Sequence, residues 1–296
     1  MTINRDIFED LFVLELANNH WGRLERGIRI VNDFAKVVRY NGVRASIKLQ
    51  LRDVETFIHK DHKDRHDVRY IKKTMDTQMS ENDFIELVGH IKKSGCIPTA
   101  TPFDERSVDF LERLDLPIIK IASSDLNDWV LIERIARSKK PVIASTGGSS
   151  LKDIDDLVTF FENRSIPLAL NHCVSLYPTE DHQLELNQVD FLKNRYPGVT
   201  VGFSTHEYHD WQSSILIAYA KGARTFERHI DIDHAGIPEI QELMDMAQAE
   251  GVKFVGCKMT VDMMGVSEDA FIDGVEIMTA EDYMKLAKNA KLNMFI

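Results

Sequence analysis

Two histidines are the first candidates for chemistry. His206 ends the run Phe203-Ser-Thr-His206, and His229 ends the run Phe226-Glu-Arg-His229. Neutral imidazoles bind Mn²⁺, Mg²⁺, Zn²⁺ or Fe²⁺, and two of them leave coordination positions open for water and substrate oxygens. If the two runs are neighbouring strands, both rings can reach one point, so the pair predicts a divalent metal site. Either histidine alone would more often be a hydrogen-bonded structural residue.

Two lysines lie inside apolar runs that resemble strands. Lys48 occurs in Ser46-Ile-Lys-Leu-Gln50, and Lys120 occurs in Pro117-Ile-Ile-Lys-Ile-Ala-Ser123. A lysine in a buried strand carries a large desolvation penalty unless it faces a wet, anion-containing site. The pair therefore indicates a locally cationic pocket for a phosphate or a carboxylate. The alternative is an edge lysine that reaches solvent.

Hydroxyl and carboxyl side chains accompany these runs. The segment Ser145-Thr-Gly-Gly-Ser-Ser150 ends a run before a helix, and hydroxyls with free helix N–H groups can hold a phosphate, although many capped turns look the same. Glu15 and Asp125 could orient a sugar hydroxyl or move a proton, the alternative being a salt bridge to Lys48 or Lys120. Tyr177 could form a wall of the same pocket.

These residues require a scaffold that gathers strand ends. Eight short apolar runs alternate with segments of helical period, which predicts a parallel sheet covered by helices. The runs are 11–16, 44–51, 97–103, 117–123, 141–146, 167–173, 200–204 and 224–233. An open doubly wound sheet would spread the polar residues along an edge, and no G-x-G-x-x-G follows the first run. A barrel collects all eight ends at one mouth, so the sequence favours an α/β fold, a (β/α)8 TIM barrel.

Composition excludes several function classes. The chain has 296 residues, of which 44% are hydrophobic and 28% charged, with 36 Lys+Arg against 47 Asp+Glu and a net charge of −11. Such a balance argues against disorder and against a general nucleic-acid binder. No stretch resembles a membrane helix or a signal peptide, so we expect a cytoplasmic protein without membrane or nucleic-acid partners. Cys96, Cys173 and Cys257 are widely spaced, which predicts reduced thiols.

The connection over residues 52–79 is long and polar. It contains His59, His62 and His66, and long connections of this kind are often lids or binding loops. A solvated charged excursion fits equally well. The histidine spacing is only a weak metal signal because no fixed partner accompanies it.

Composition changes after Gly236. Eight of the 11 methionines lie beyond it. The pattern there predicts a helix over 239–250, a strand over 252–257, a Met-rich turn, a helix over 280–290 and a final strand over 292–296. We therefore predict two domains, a barrel over 1–235 and a segment over 236–296 that packs on the barrel or on a partner chain.

Taken together and in this order, the motifs of the first 235 residues resemble the sialic acid synthase (N-acetylneuraminate synthase) family. The matching pieces are Glu15-Leu-Ala-Asn-Asn-His20, Lys48-Leu-Gln50, Thr101-Pro-Phe-Asp104, Lys120-Ile-Ala-Ser-Ser-Asp125, Ser145-Thr-Gly147, His172-Cys173, Tyr177-Pro-Thr179, Phe203-Ser-Thr-His206 and Glu227-Arg-His229. Single pieces mean little, but their joint spacing is specific. The family condenses phosphoenolpyruvate with an N-acetylated sugar.

The resemblance implies where phosphoenolpyruvate and a metal would bind. Lys48 and Lys120 would hold phosphoenolpyruvate together with hydroxyl residues. Those residues are Thr101, Ser123, Ser145, Ser175 and Ser204. Mn²⁺ or Mg²⁺ would lie on His206 and His229 and polarise the sugar aldehyde as a Lewis acid.

The resemblance also implies the course of the reaction. C3 of phosphoenolpyruvate adds to the aldehyde, water attacks C2, and phosphate leaves, giving a nonulosonic (sialic-type) acid. Glu15 would handle the water or phosphate proton, while Asp125 and Tyr177 would contact the sugar. A homodimer is the expected assembly.

Four positions depart from the family pattern and leave the identity of the sugar open. Ser124 stands where members have glycine or another small residue, and Asp125 stands where glutamate is frequent. Thr205 replaces a common aspartate, and Ser175 replaces a residue that is often asparagine in bacterial members.

The tail from about Ile237 resembles the C-terminal half of DsrE-like sulfur-relay proteins, which have a flavodoxin-like fold. The resembling pieces are Val252-Lys-Phe-Val-Gly-Cys257, Met259, Met263-Met-Gly265 and Ile272-Asp-Gly274. This resemblance implies an α-β-α-β segment in place of the family's antifreeze-like domain, hence a natural fusion or an engineered chimera. Besides the synthase, two readings stay open: a hybrid scaffold that binds ligand or metal with little catalysis, and a sulfur-relay role through Cys257.

Overall fold

The computed structural model describes residues 7–207, 210–232, 252–265, 267 and 275–288. The chain divides into two compact units, Met1–Ala235 and Gly236–Ile296. None of the described helices has the length and apolarity that a bilayer-spanning helix requires.

The first unit is built on a closed barrel of eight parallel strands that follow chain order around the ring. The strands are β1 Leu11–Ala17, β2 Arg44–Leu51, β3 Ile97–Pro102, β4 Ile118–Ile121, β5 Val142–Ser145, β6 Leu168–Cys173, β7 Thr200–Ser204 and β8 Thr225–His229. β8 pairs with β1, which closes the ring and leaves no free sheet edge. The predicted (β/α)8 barrel is confirmed, and the open sheet is excluded.

Helices connect the strands and cover the outside of the barrel. They are α1 Leu24–Asn41, α2 Val54–Phe57, α3 Arg69–Asp76, α4 Glu81–Ser94, α5 Glu105–Arg113, α6 Trp129–Arg137, α7 Leu151–Glu162, α8 Asn187–Arg195 and α9 Trp211–Ala220. Local sequence sets several boundaries. Ser80 and Ser150 begin α4 and α7 with reciprocal capping boxes. Gly42 and Gly95 end α1 and α4 at positive φ values of 61° and 87°, a conformation that glycine adopts at low cost.

Alternation along each strand separates two packing regions. Outward-facing residues such as Ile47, Leu49 and Ile119 join the large core beneath the helices. Inward-facing residues at the amino-terminal end of the strands form a second, smaller apolar cluster, here called the apolar floor. Its buried members are Phe8, Leu11, Val13, Ile118, Ile143 and Ala169. The carboxyl-terminal end of the interior is polar and forms the mouth.

The polar connection between β2 and α4 is partly ordered into short elements. It contains α2, a 3₁₀ turn over Lys60–His62, and α3. The His59 and His62 rings lie 5.9 Å apart on the exposed side of this connection. Whether the segment acts as a lid stays a prediction.

The second unit contains two parallel strands and two helices among its described residues. They are β9 Phe254–Cys257, α10 Lys258–Met264, β10 Val275–Met278 and α11 Ala280–Ala287. The predicted Met-rich turn is wrong, because these residues form α10. Lysine and methionine are good helix formers, and Gly265 ends the helix at a φ of 64°. The predicted helix over 239–250 and strand over 292–296 lie outside the described residues.

Candidate active site

A cavity of about 600 Å³ opens at the carboxyl ends of the barrel strands. Every site residue predicted from the sequence lines it, with the exception of Asp125. The lining residues are Glu15, Lys48, Gln50, Thr101, Phe103, Lys120, Ala122, Ser123, Ser124, Asn127, Ser145, Gly147, Gly148, Ser149, Asp153, Cys173, Ser175, Tyr177, Ser204, His206, Glu227 and His229. All eight strands, or the loops directly after them, contribute to this one surface.

Four charged side chains form the base of the cavity, and we call Glu15, Lys48, Lys120 and Glu227 the charged quartet. All four are buried. Lys48 Nζ contacts Glu15 Oε2 and lies 3.4 Å from Glu227 Oε1, and Lys120 Nζ lies 3.4 Å from the same Glu227 oxygen. Glu227 therefore bridges the two lysines.

Hydroxyl groups complete the surroundings of the two lysines. Lys48 Nζ donates a hydrogen bond to Thr101 Oγ1 at 3.1 Å, and Lys120 Nζ donates one to Ser145 Oγ at 2.7 Å. Each ammonium group thus has a carboxylate and a hydroxyl as neighbours. Such groups reduce the cost of burying a charge, as isolated buried ammonium groups would be strongly disfavoured.

Lys48 and Glu227 both have lowered pKa values, but for different reasons: burial dominates for Lys48, and neighbouring positive charges dominate for Glu227. Burial lowers the pKa of Lys48 to about 8, although the Glu227 charge opposes this shift. Burial alone would raise the pKa of Glu227, but the charges of Lys120 and Lys48 outweigh that effect and hold it at about 2. Glu227 is therefore ionised at neutral pH.

The prediction of a locally cationic pocket needs correction, because two carboxylates accompany the two lysines. No role was predicted for Glu227 from the sequence, although this residue belongs to the motif Glu227-Arg-His229. Residues two apart on a strand face the same side, so the position of Glu227 two residues before His229 already indicates that its side chain faces the cavity. For Glu15, the salt bridge to Lys48 that the sequence left as an alternative is present.

The serine-rich side of the cavity depends on close backbone approach. The Gly147 N–H donates to Ser123 Oγ at 3.1 Å. A Cβ at Gly147 would lie 2.5 Å from Ser175 Oγ and 3.0 Å from Ser123 Oγ, so a larger residue would displace both hydroxyls. Ser150 Oγ caps the start of α7 by accepting the Asp153 N–H at 3.2 Å. Gly147, Gly148 and Ser149 line the cavity, and a phosphate cradle at this helix start stays a prediction.

His206 and His229 lie together at the mouth, with ring centroids 5.7 Å apart. Partial removal from water lowers the pKa of each to about 4, so both are neutral near pH 7, although part of His229 stays exposed to solvent. Nδ1 of His206 is buried and has no hydrogen-bond partner. The Tyr177 ring packs 4.0 Å from the His206 ring.

The two imidazoles fit a divalent metal that keeps open coordination positions. Neutral imidazoles are suitable donors, and the buried Nδ1 of His206 has no hydrogen-bond partner, so His206 and His229 would be the residues that hold such an ion. Within the described ranges there is no group of three His, Cys, Asp or Glu residues that could hold a metal. An ion here would therefore rely on two protein ligands, with water and substrate oxygens as the others.

Asp125 is the site prediction that the structure does not bring to the cavity. It ends the 3₁₀ turn Ser123–Asp125, accepts a hydrogen bond from Ser124 Oγ at 2.8 Å and has a buried, unpartnered Oδ2. Burial raises its pKa. The tight turn exposes Asn127 to the cavity instead, a shift that strand periodicity could not reveal.

The cysteines occupy different environments. Cys173 is buried but also lines the cavity, and burial raises the pKa of its thiol. Cys257 is exposed at the end of β9, and hydrogen bonds from Thr260 lower its pKa. A sulfur-relay role for Cys257 stays a prediction.

Comparison with known proteins assigns the family. Residues 39–261 match the model of the NeuB family. The chain is 28% identical to N-acetylneuraminate-9-phosphate synthase of Drosophila melanogaster over 243 residues, which is 78% of this chain and 63% of that protein. It is 27% identical to pseudaminic acid synthase of Campylobacter jejuni over 271 residues, which is 88% of this chain and 75% of that protein.

A solved structure extends the similarity to most of the chain. A protein of Chromobacterium violaceum, described as a spore coat polysaccharide biosynthesis protein E, matches with a TM-score of 0.75 and 36% identity, covering 94% of this chain and 81% of the other. The chain spans about 63% of the length of the first curated relatives. The predicted resemblance of the barrel to sialic acid synthases is confirmed, and the DsrE-like resemblance of the tail stays a prediction. This protein belongs to the NeuB family.

Proposed function

We propose that the cavity condenses phosphoenolpyruvate with an N-acetylated aldose to give a nonulosonic (sialic-type) acid and inorganic phosphate. The observation that carries this proposal is the pair of buried lysines, Lys48 and Lys120, held by Glu227 at the base of an open, hydroxyl-lined cavity. The names of the relatives, N-acetylneuraminate-9-phosphate synthase and pseudaminic acid synthase, support the same reaction class.

The two lysines and the serines form the binding surface for phosphoenolpyruvate. Its phosphate and carboxylate are anions, and ammonium groups with nearby hydroxyls are suitable donors for both. Lys120 with Ser145, and Lys48 with Thr101, supply two such donor pairs. Ser123, Ser175 and Ser204 line the same side and add further donors.

Glu227 makes these lysines available as charged donors. Because its own pKa is held at about 2, it stays ionised, and its charge favours the ammonium form of Lys48. Its Oε1 atom lies 3.4 Å from each Nζ atom, so one carboxylate oxygen offsets the repulsion between the two ammonium groups. We therefore assign Glu227 a positioning role for the phosphoenolpyruvate site.

Glu15 is the candidate for proton transfer. Its Cα pairs with Lys48 on one side and with His229 on the other, so it lies between the proposed anion and metal sites. Oε2 contacts Lys48, while Oε1 is buried without a hydrogen-bond partner. That oxygen can accept a proton from a water molecule that enters the cavity.

Mn²⁺ or Mg²⁺ is the proposed cofactor, held by His206 and His229. Such an ion, when bound, polarises the aldehyde of the sugar as a Lewis acid. Tyr177 packs against His206 and forms one wall of this side of the cavity. We propose that Tyr177, with Gln50, Phe103 and Asn127 from the opposite wall, contacts the sugar.

The test is phosphate release by the full chain from phosphoenolpyruvate, Mn²⁺ and a panel of N-acetylated hexosamines. We expect release that depends on all three components and is lost in His206→Ala. Calorimetric binding of phosphoenolpyruvate without turnover of any sugar would favour the hybrid-scaffold reading. Absence of both binding and turnover in folded protein would reject the proposed function.

A further inference from the structure

A third buried carboxylate, Glu207, follows His206 directly and is not used by the proposed reaction. Its side chain has no solvent exposure, and it is absent from the cavity lining. A buried carboxylate is unfavourable unless other groups hold it. Its contacts therefore indicate what it does.

Glu207 connects three segments of the barrel. Ser214 Oγ, near the start of α9, donates a hydrogen bond to Glu207 Oε1. Arg228 Nη2, on β8, donates to the Glu207 carbonyl oxygen at 2.7 Å, and Arg228 Nη1 lies 3.6 Å from Glu207 Oε2. The Arg228 guanidinium also lies 5.4 Å from the centre of the Trp211 ring. One carboxylate residue thus ties the loop after β7 to α9 and to β8.

The two members of this pair are chain neighbours of the two histidines. Arg228 stands between Glu227 and His229, which both line the cavity, so its side chain faces the outer side of β8. Glu207, in the loop after β7, directly follows His206; His206 lines the cavity and Glu207 does not. The contact therefore joins, behind the cavity wall, the two backbone segments that carry the imidazoles.

Backbone pairing ends before His206. The register between β7 and β8 runs as far as Ser204 opposite Glu227, and the Thr205 N–H donates one further bond to the Glu227 carbonyl at 3.2 Å. The Glu207–Arg228 contact lies beyond that last rung. Opposite charges at this distance in a shielded position attract each other more strongly than at the surface.

We propose that Glu207 is a positioning residue that, through Arg228, fixes the separation of His206 and His229 and thereby the affinity of the two-imidazole site for a divalent cation. The inference rests on the proposed function only for the identity of the ligand, a divalent metal. Glu207 itself touches neither the metal nor the substrates.

The test compares Mn²⁺ affinity and phosphoenolpyruvate affinity of the metal-free full chain by calorimetry. We expect Glu207→Gln to weaken Mn²⁺ binding about tenfold, the effect typical of residues that orient metal ligands, and to leave phosphoenolpyruvate binding within about twofold. Arg228→Lys, at a more exposed position, is the second variant and should weaken Mn²⁺ binding in the same direction. Glu207→Asp should restore part of the affinity.

Asp155→Asn is the matched control. Asp155 pairs with Arg195 at 2.7 Å on the outer helices, so this variant loses a carboxylate–arginine pair without changing the histidines. Unchanged Mn²⁺ affinity in folded Glu207→Gln and Arg228→Lys, with Mn²⁺ bound by the unmodified chain, would overturn this inference alone. Absence of Mn²⁺ binding by the unmodified chain would overturn the inference together with the metal part of the proposed function.

Discussion

The two ends of the barrel interior place different side chains on the same strands. On β4, Ile118 and Lys120 face the same interior two residues apart, about 6.6 Å along the strand. Ile118 belongs to the apolar floor, whereas Lys120 belongs to the charged quartet. On β1, Val13 and Glu15 show the same change.

The floor contributes mainly to the stability of the fold, whereas the mouth holds the groups proposed for binding and reaction. The floor is a closely packed apolar cluster, so its side chains contribute burial of apolar surface. The mouth buries four charges and leaves two carboxylate oxygens, Glu15 Oε1 and Glu227 Oε2, without hydrogen-bond partners. Buried charges with unsatisfied atoms are costly to the folded state. We therefore expect substitutions at the floor to affect stability, and substitutions at the mouth to affect binding and turnover.

The largest expected effect is at the mouth. Lys120→Met removes one of two cations in the proposed anion site and leaves Glu227 with a single lysine. We expect turnover in the phosphate-release assay to fall about 10³-fold, because loss of one partner from a buried charged contact costs on the order of 2–5 kcal/mol. Lys140→Met is the matched control, since Lys140 pairs with Asp115 on the outside. Turnover within threefold of the unmodified chain would remove Lys120 from the site.

The next effect is at the floor. Ile118→Ala should lower the free energy of unfolding by about 3 kcal/mol, because it opens a cavity among fully buried neighbours. Turnover per folded molecule should not change. Denaturant unfolding measures the first quantity and an active-site titration the second. Ile85→Ala, at a half-exposed position on α4, is the control. A large loss of turnover at unchanged stability would contradict the division between floor and mouth.

Acid should destabilise the mouth and not the floor, whose residues carry no ionisable groups. In the folded metal-free chain the pKa of His206 and of His229 is about 4, below the ordinary value of 6.5. The unfolded chain therefore binds more protons between pH 6.5 and pH 4, and stability falls as the pH drops through that window. We expect a loss of about 3 kcal/mol, most of it from His206, because one pKa unit corresponds to about 1.4 kcal/mol and solvent screens the exposed His229.

Urea unfolding of the metal-free chain at several pH values checks this slope. His206→Asn combined with His229→Asn should flatten it in part, leaving the contribution of buried His20, whose pKa is also about 4. His62→Asn, a substitution on an exposed turn outside the mouth, serves as the reference variant. An unchanged slope in the double variant would mean that the acid sensitivity lies elsewhere.

The smallest predicted effect concerns Lys48 at alkaline pH. Burial brings its pKa to about 8, so it loses its proton above that pH and ceases to attract an anion. We expect calorimetric affinity for phosphoenolpyruvate to be about tenfold weaker at pH 9 than at pH 7. Lys48→Arg should lose this dependence, since arginine stays protonated. Affinity that is constant up to pH 10 in the unmodified chain would count against Lys48 as a charged donor.

Much of the barrel could be predicted because its signals are local and repeated. Alternating β-like runs and helical segments gave eight strands, and polar residues at the ends of those runs predicted the mouth. A closed ring was predicted over an open sheet because only a barrel brings the polar ends of all eight strands to one mouth. The same reasoning identified His206, which lies two residues beyond β7, and His229, which ends the adjoining β8.

The remaining site residues depend on contacts that no single run reveals. Glu227 was missed because its role comes from two lysines on β2 and β4, which are distant in sequence. Asp125 was selected because it follows a strand, but the 3₁₀ turn Ser123–Asp125 directs the chain so that Asn127 reaches the cavity. In the second unit, β10 was missed because a run of four residues is too short for its periodicity to identify a strand.

The most direct test of the central claim, that the mouth of this barrel joins phosphoenolpyruvate to a sugar, is mass spectrometry of the product. The full chain is incubated with phosphoenolpyruvate, Mn²⁺ and an N-acetylated hexosamine. We expect a new acid whose mass equals sugar plus phosphoenolpyruvate plus water minus phosphoric acid, formed by the unmodified chain and by Ile118→Ala but not by Lys120→Met. Unreacted sugar and phosphoenolpyruvate across the whole panel, or equal product from Lys120→Met, would contradict the claim.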